Sequence, residues 1–247
     1  MNKRKKKNTE KFHEKVKKGR IKNQPRPRPF MVLKSLNGNF NSFLNKLFTS
    51  NSTIGIILGA RGTGKSAIGM ALLEQFKSKT NKKIYALGFN ADDLPNWINV
   101  VKSVDEIENG SVLLADESGI EFSSRESMSD KNKFLTNLLL IARHKDLSLL
   151  FISQNSSNIE INAIRQTDYM ILKPSSLLQR DFERKKIKDI YEEVKKEFED
   201  LKSNKGLAYI YSNDYRGFIS NELPSFWSQK VSKAYGNFKK KELNKEN

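Results

Sequence analysis

Between Ile54 and Ser66 the chain reads Ile-Gly-Ile-Ile-Leu-Gly-Ala-Arg-Gly-Thr-Gly-Lys-Ser. This stretch allows few folds. Ile54, Ile56, Ile57 and Leu58 form an apolar run short enough to be a buried strand. Beyond it, Ala67, Ile68, Ala71, Leu72 and Phe76 recur at helical spacing. The turn between them, Gly59-x-x-x-x-Gly64-Lys65-Ser66, has the pattern of a phosphate-binding loop. Glycines let successive backbone N–H groups converge on an anion, and the following helix turns its positive end to the same point. On this reading Gly59, Ala60, Arg61, Gly62, Thr63, Gly64, Lys65, Ser66 and Ala67 cradle the phosphates of ATP. Lys65 reaches the β- and γ-phosphates, and the Ser66 hydroxyl meets Mg²⁺. The plain alternative is a glycine turn with a chance lysine.

A second apolar run, Ser111 to Ala115, stops at Asp116-Glu117, about fifty residues after the loop. A carboxylate pair at a strand end suits metal-assisted hydrolysis, Asp116 holding Mg²⁺ and Glu117 polarising the attacking water as general base. The same pair could be a surface turn. Leu147 to Ile152 is a further buried strand, ending in Ser153-Gln154-Asn155. An amide there could bond the attacking water or the γ-phosphate, or simply cap the strand. Residues 118–130 are polar, with Arg125 near the middle; they read either as a loop touching a threaded substrate or as an ordinary connection.

Other strands are expected at Ile84–Leu87 and Tyr169–Leu172, and a hairpin at Leu207–Tyr211 with Gly217–Ile219. Phe40, Phe43, Leu44, Leu47 and Phe48 predict a short amphipathic helix, and Phe134 to Ala142 an apolar one. Residues 91–109 read as a connection with one small helix. Residues 177–202 read as one long charged helix with Phe182, Ile187, Ile190, Tyr191, Val194 and Phe198 as its stripe, and Pro224 to Tyr235 as a final short helix. Strands alternating with helices predict an α/β fold with a mostly parallel central sheet flanked by helices.

The net charge of +17 is uneven. Residues 1–28 carry 13 Lys and Arg against Glu10 and Glu14, and prolines alternate at 25, 27 and 29. The reading is a disordered basic arm over residues 1–30, an ATPase domain over 31–236 and a charged tail over 237–247. Such an arm grips nucleic-acid phosphates, or else merely solubilises the chain. There is no cysteine, and there are two histidines, so disulfides and Cys-based zinc sites are excluded. No apolar run is long enough to span a bilayer and no signal-peptide pattern opens the chain, so a cytoplasmic or virion-associated protein without membrane insertion is expected.

The stretch Arg143 to Ser176 resembles the corresponding part of the FtsK–HerA superfamily of DNA-pumping P-loop ATPases, which are RecA-like in architecture. The matching features are Arg143 ahead of a short apolar strand, Ser153-Gln154 at its end, the segment Ala163 to Gln166, and Ser175-Ser176 after the next strand. With both carboxylate and glycine motifs the resemblance spans roughly residues 53–180. It is nearest to viral genome-packaging ATPases and related phage morphogenesis proteins. The resemblance implies a homo-oligomeric ring, expected hexameric, with ATP between subunits, double-stranded DNA in the channel and a capsid or portal protein as partner. It also implies an arginine reaching into the neighbour's site, for which Arg143, Arg165 and Arg180 are candidates, Arg143 and Arg180 first. The family's arginine just after the Gln strand (usually Gln-Arg-Pro) is missing, Asn155-Ser156 standing there instead, and a winged-helix DNA reader is missing too. Competing readings are a morphogenesis factor with negligible turnover, an AAA+-type loader and a P-loop kinase. The intact set Lys65, Ser66, Asp116, Glu117 and Gln154 speaks against the first, and no arginine-rich lid is found for the last.

Overall fold

In the computed structural model, residues 24–118, 128–176, 181–228 and 231 are described. One nine-stranded sheet runs through them. Its strands are β1 (Met31–Gly38), β2 (Thr53–Leu58), β3 (Ile84–Leu87), β4 (Ile98–Val101), β5 (Val112–Asp116), β6 (Ser148–Ile152), β7 (Tyr169–Leu172), β8 (Ala208–Ser212) and β9 (Tyr215–Ser220). The spatial order is β1-β9-β8-β7-β2-β6-β5-β3-β4. From β7 to β4 every neighbouring pair is parallel, and β8, β9 and β1 continue the sheet antiparallel.

The helices are α1 (Phe40–Thr49), α2 (Lys65–Lys79), α3 (Met128–His144), α4 (Ile161–Arg165), α5 (Lys185–Glu193) and α6 (Lys195–Asp200). They cover both faces of the sheet, which is why the central strands are apolar throughout rather than alternating. One face packs Leu138, Leu139 and Ala142 of α3, Ala163 of α4 and Ile187, Ile190 and Tyr191 of α5 on Ile54, Ile56 and Leu58 of β2. The other packs Phe40, Phe43, Leu47 and Phe48 of α1 and Ile68, Leu72 and Phe76 of α2 on Ile57, Leu114 and Ile152. Asn39 starts α1 by accepting a bond from the Ser42 amide at 3.0 Å.

Helix α2 is buried almost all round, including Glu74 and Gln75. Two segments cover its outer side. The Pro-rich residues 24–30 run across it in extended form, the Arg26 amide donating to Glu74 and Gln75 Nε2 donating to the Arg28 carbonyl at 2.8 Å. The chain after β9 returns there too, and the Ser225 amide donates to Glu74 Oε2 at 3.1 Å. The last part of the expected arm is thus tied to the body, while residues 1–23 and 232–247 lie outside the described residues, with half of the expected final helix.

Three expectations change. Residues 91–109 contain an edge strand, β4, besides short 3₁₀ turns; its alternation Ile98, Asn99, Val100, Val101 is too brief to register as a period. Residues 31–38 form β1, an edge strand so exposed that no buried face marks it. The long helix after residue 177 is two helices broken at Val194, whose φ −112° and ψ 18° leave the helical region. Val194 is itself buried, and the break turns Phe198 onto Phe218, ring centroids 5.0 Å apart. Phe182 is no part of the stripe: it is 70% exposed.

Candidate active site

Because β2, β5, β6 and β7 are parallel, the loops after them leave the same edge of the sheet. The backbone ladder runs on past the strand ends. Ser153 N–H donates to the Ile57 carbonyl at 3.0 Å, Lys173 N–H to Leu58 at 2.8 Å and Ala60 N–H to Pro174 at 3.2 Å. The loop after β2 is thereby held between the loops after β6 and β7.

Within it, Gly59 and Gly64 have φ of 145° and 88°, left-handed values that favour glycine. A Cβ on Gly59 would also sit 2.6 Å from Lys173 Cβ. Gly64 starts α2 with no side chain capping its N–H groups, so they face the loop. Lys65 folds back over the loop and donates from Nζ to the carbonyls of Gly59 at 2.7 Å and Ala60 at 3.0 Å. Burial holds its ammonium below the ordinary lysine range, and Asp116, Glu117 and Glu183 oppose that shift. Arg61 is exposed at the rim; Gly62 and Thr63 complete the turn, where Thr63 Oγ1 donates to the Ala60 carbonyl at 2.7 Å.

The carboxylates arrive from β5. Ser66 Oγ donates to Asp116 Oδ2 at 3.2 Å, and the Ser118 amide to Oδ1 at 3.1 Å. Asp116 is 3% exposed, and burial pushes its carboxyl up to about 6 against those bonds and the charge of Lys65. Glu117 Oε2 accepts from Ser153 Oγ at 2.5 Å, and Gln154 Nε2 donates to Ser118 Oγ at 2.9 Å. Strand β6 lies between β2 and β5, so Ser153 and Gln154 sit between the glycine loop and the carboxylates. Lys65, Ser66, Ala67, Asp116, Glu117 and Gln154 therefore lie together at one edge of the sheet.

The arginines do not join them. Arg143 ends α3 and Arg165 ends α4, both feeding the starts of β6 and β7. Five strand residues, about 16 Å, separate that edge from the loop edge. Arg125 and Arg180 lie outside the described residues.

Four further side chains stand at this edge, and the sequence marks them weakly or not at all. Ser153 enters the sequence reading only as part of the strand end Ser153-Gln154; its bond to Glu117 is what ties it to the carboxylates. Glu183 is 7% exposed and accepts from the Ser156 amide at 2.8 Å; the neighbouring Arg184 donates from Nε to the carbonyls of Ser156 at 3.1 Å and Ile159 at 2.8 Å. These two clasp the loop after β6, and nothing local in the sequence marks them. Lys173 is fully buried beneath the glycine loop, and a lysine directly after the apolar run Tyr169–Leu172 is its one signal.

An apolar strand, a glycine loop held at a helix start, and a carboxylate strand two places away define the α/β P-loop fold. No family model matches the chain, and no curated protein matches it. Among solved structures it is similar to the genome-packaging NTPase B204 of Sulfolobus turreted icosahedral virus 2 in complex with AMPPCP, at 14% identity and a TM-score of 0.46, over 70% of this chain and 100% of that one. B204 described as the DNA-packaging ATPase of Sulfolobus turreted icosahedral virus gives 17% identity and a TM-score of 0.48, over 70% and 98%. ATPases 2 and 3 of EssC from Geobacillus thermodenitrificans give 13% and 0.44, over 74% of this chain and 42% of that one.

Proposed function

We propose that this chain is an ATP-hydrolysing motor that translocates double-stranded DNA, working as a homo-oligomeric, expected hexameric ring, with packaging of viral DNA into a capsid as the process it drives. One observation carries the reading: Ser66 Oγ lies 3.2 Å from Asp116 Oδ2 while Glu117 is bonded to Ser153 in the next strand's loop. A phosphate cradle, a cation-binding pair and a water-activating carboxylate thus share one edge of the sheet.

The donors fit Mg²⁺. A hydroxyl and a deeply buried carboxylate whose pKa is raised form a hard oxygen set that gains from a divalent cation. Ser66 and Asp116 would hold it, and bound Mg²⁺ would neutralise charge on the β- and γ-phosphate oxygens. Lys65 would leave the loop carbonyls for the same phosphates, exchanging two neutral acceptors for anionic ones. Glu117, its carboxylate fixed by Ser153, would take the proton of the attacking water. Gln154, one residue beyond Ser153, would orient that water or the γ-phosphate.

The motor reading draws support from the resemblance over Arg143–Ser176 and from the basic residues 1–28. Arg143 and Arg165, on the far edge, suit a role in a neighbour's site better than in their own. Lys65→Ala should lose nucleotide affinity. Glu117→Gln should keep it while hydrolysis falls on the order of 10²–10⁴-fold, the usual weight of a general base. Phosphate release and nucleotide titration on both substituted chains check this. Unchanged turnover in Glu117→Gln would remove Glu117 from the chemistry.

A further inference from the structure

Behind the glycine loop stands a second lysine with no part in the roles above. Lys173 follows β7 and is fully buried. Its Cβ packs against Gly59, and its chain then runs under the loop, so that Cε and Nζ would lie 3.6 Å and 3.9 Å from a Cβ on Gly64. Gly64 is the N-cap of α2, the place where an anion at the helix start would sit. Nζ donates to the Gly206 carbonyl at 2.8 Å and to Asn221 Oδ1 at 3.3 Å, and the Tyr191 hydroxyl holds the Lys173 carbonyl at 2.9 Å. The surrounding groups are therefore two loop glycines, a carbonyl and an amide from the segments flanking the C-terminal hairpin, and a tyrosine from α5. Among the described residues, no carboxylate bonds this ammonium.

We propose that Lys173 is a positioning residue for polyphosphate binding: a cation held behind the loop, whose charge acts on the phosphates through the gaps that Gly59 and Gly64 leave. It does not touch the ligand. In a buried setting a charge several ångströms away still acts strongly, since little water screens it. Burial brings the ammonium down to about 7, with no charged neighbour contributing. Below that pH the group is charged, and above it neutral. A bound polyphosphate favours the charged form, so binding above pH 7 draws a proton from solvent onto Nζ. Affinity should then fall as pH rises through 7 and higher.

This inference rests on the nucleotide reading of the loop, and one experiment separates the two. Mg·ATPγS is titrated calorimetrically into the full chain and into Lys173→Met at pH 6.5 and pH 8.5, in two buffers of different ionisation enthalpy. Wild type should bind, and at pH 8.5 it should take up more protons per nucleotide than Lys173→Met does, by about a quarter of a proton. At pH 6.5 Lys173→Met should bind about tenfold more weakly than wild type, and the gap should narrow at pH 8.5. Methionine keeps the side chain's length but takes the donor from the Gly206 carbonyl and Asn221 Oδ1, so the melting temperature of Lys173→Met is measured at both pH values and the titrations are run well below it, which separates charge from folding. If wild type binds no nucleotide, the reading of the site falls and this inference with it. If wild type binds but Lys173→Met matches it in affinity and proton count at both pH values, Lys173 is only a strut and the proposal is wrong.

Discussion

At the scale of single residues the site is built by burying charge, and its stability carries that cost. Asp116 is almost fully buried, and burial raises its carboxyl to about 6, well above the range of an exposed aspartate. Between pH 4 and 6 the folded chain holds a proton that the unfolded chain has lost, so this group's contribution falls as pH rises through that window. Above pH 6 the full penalty applies. Asp116→Asn should therefore raise the stability of the chain in EDTA at pH 8 by up to about 3 kcal/mol, and the gain should vanish near pH 4. Urea unfolding at both pH values measures it; a loss of stability at pH 8 would mean that the bonds from Ser66 and Ser118 outweigh burial. Lys65, Ser66, Asp116, Glu117 and Gln154 are legible in the sequence because each follows a short apolar run, and a parallel sheet delivers such positions to one edge. Ser153 and Lys173 also follow apolar runs, so their place at the strand ends is readable while their partners are not; Glu183 follows none, and the meaning of all three depends on which loops become neighbours.

Among elements, α2 links the loop to the rest of the chain. Its outer side carries Glu74, 1% exposed, which receives the Arg26 amide, the Ser225 amide and the Ser225 hydroxyl. One carboxylate thus ties the segment before β1 and the segment after β9 to the helix that begins at Lys65. Glu74→Ala leaves two amides unsatisfied and should cost about 2–3 kcal/mol. It should also speed amide hydrogen exchange at Arg26 and Ser225 while β2 and β5 stay protected. Protection at those two amides unchanged by the substitution would show that the segments are held by other contacts. The central strands are readable because both their faces are covered. Strands β1 and β4 are not, because an edge strand lacks a buried face or the length to show a period. The break at Val194 leaves no mark in the sequence because helical spacing continues through it.

Over the whole molecule, charge and core are separate. The sheet and its helices form the enzyme-like body, and much of the excess basic charge sits in the N-terminal residues, eleven Lys and Arg within residues 1–23. Removing residues 2–23 should leave nucleotide affinity intact, since the tie between this end of the chain and α2 is made by residues after 23. It should weaken binding to duplex DNA and flatten its dependence on salt, because each neutralised phosphate adds to the slope. Fluorescence anisotropy with a labelled duplex at roughly 50–200 mM salt reads both; an unchanged slope would assign DNA contact to the body alone. No helix among the described residues is long and apolar enough to cross a membrane.

The central claim is that the edge assembled from β2, β5 and β6 hydrolyses ATP in service of DNA movement. The most direct measurement is the steady-state rate of phosphate release by the full chain with Mg²⁺ and ATP, with and without linear duplex DNA, beside Glu117→Gln. The account predicts turnover that rises several-fold with DNA and is lost in Glu117→Gln under both conditions. Turnover equal with and without DNA would contradict the motor, and no turnover in either would contradict the enzyme.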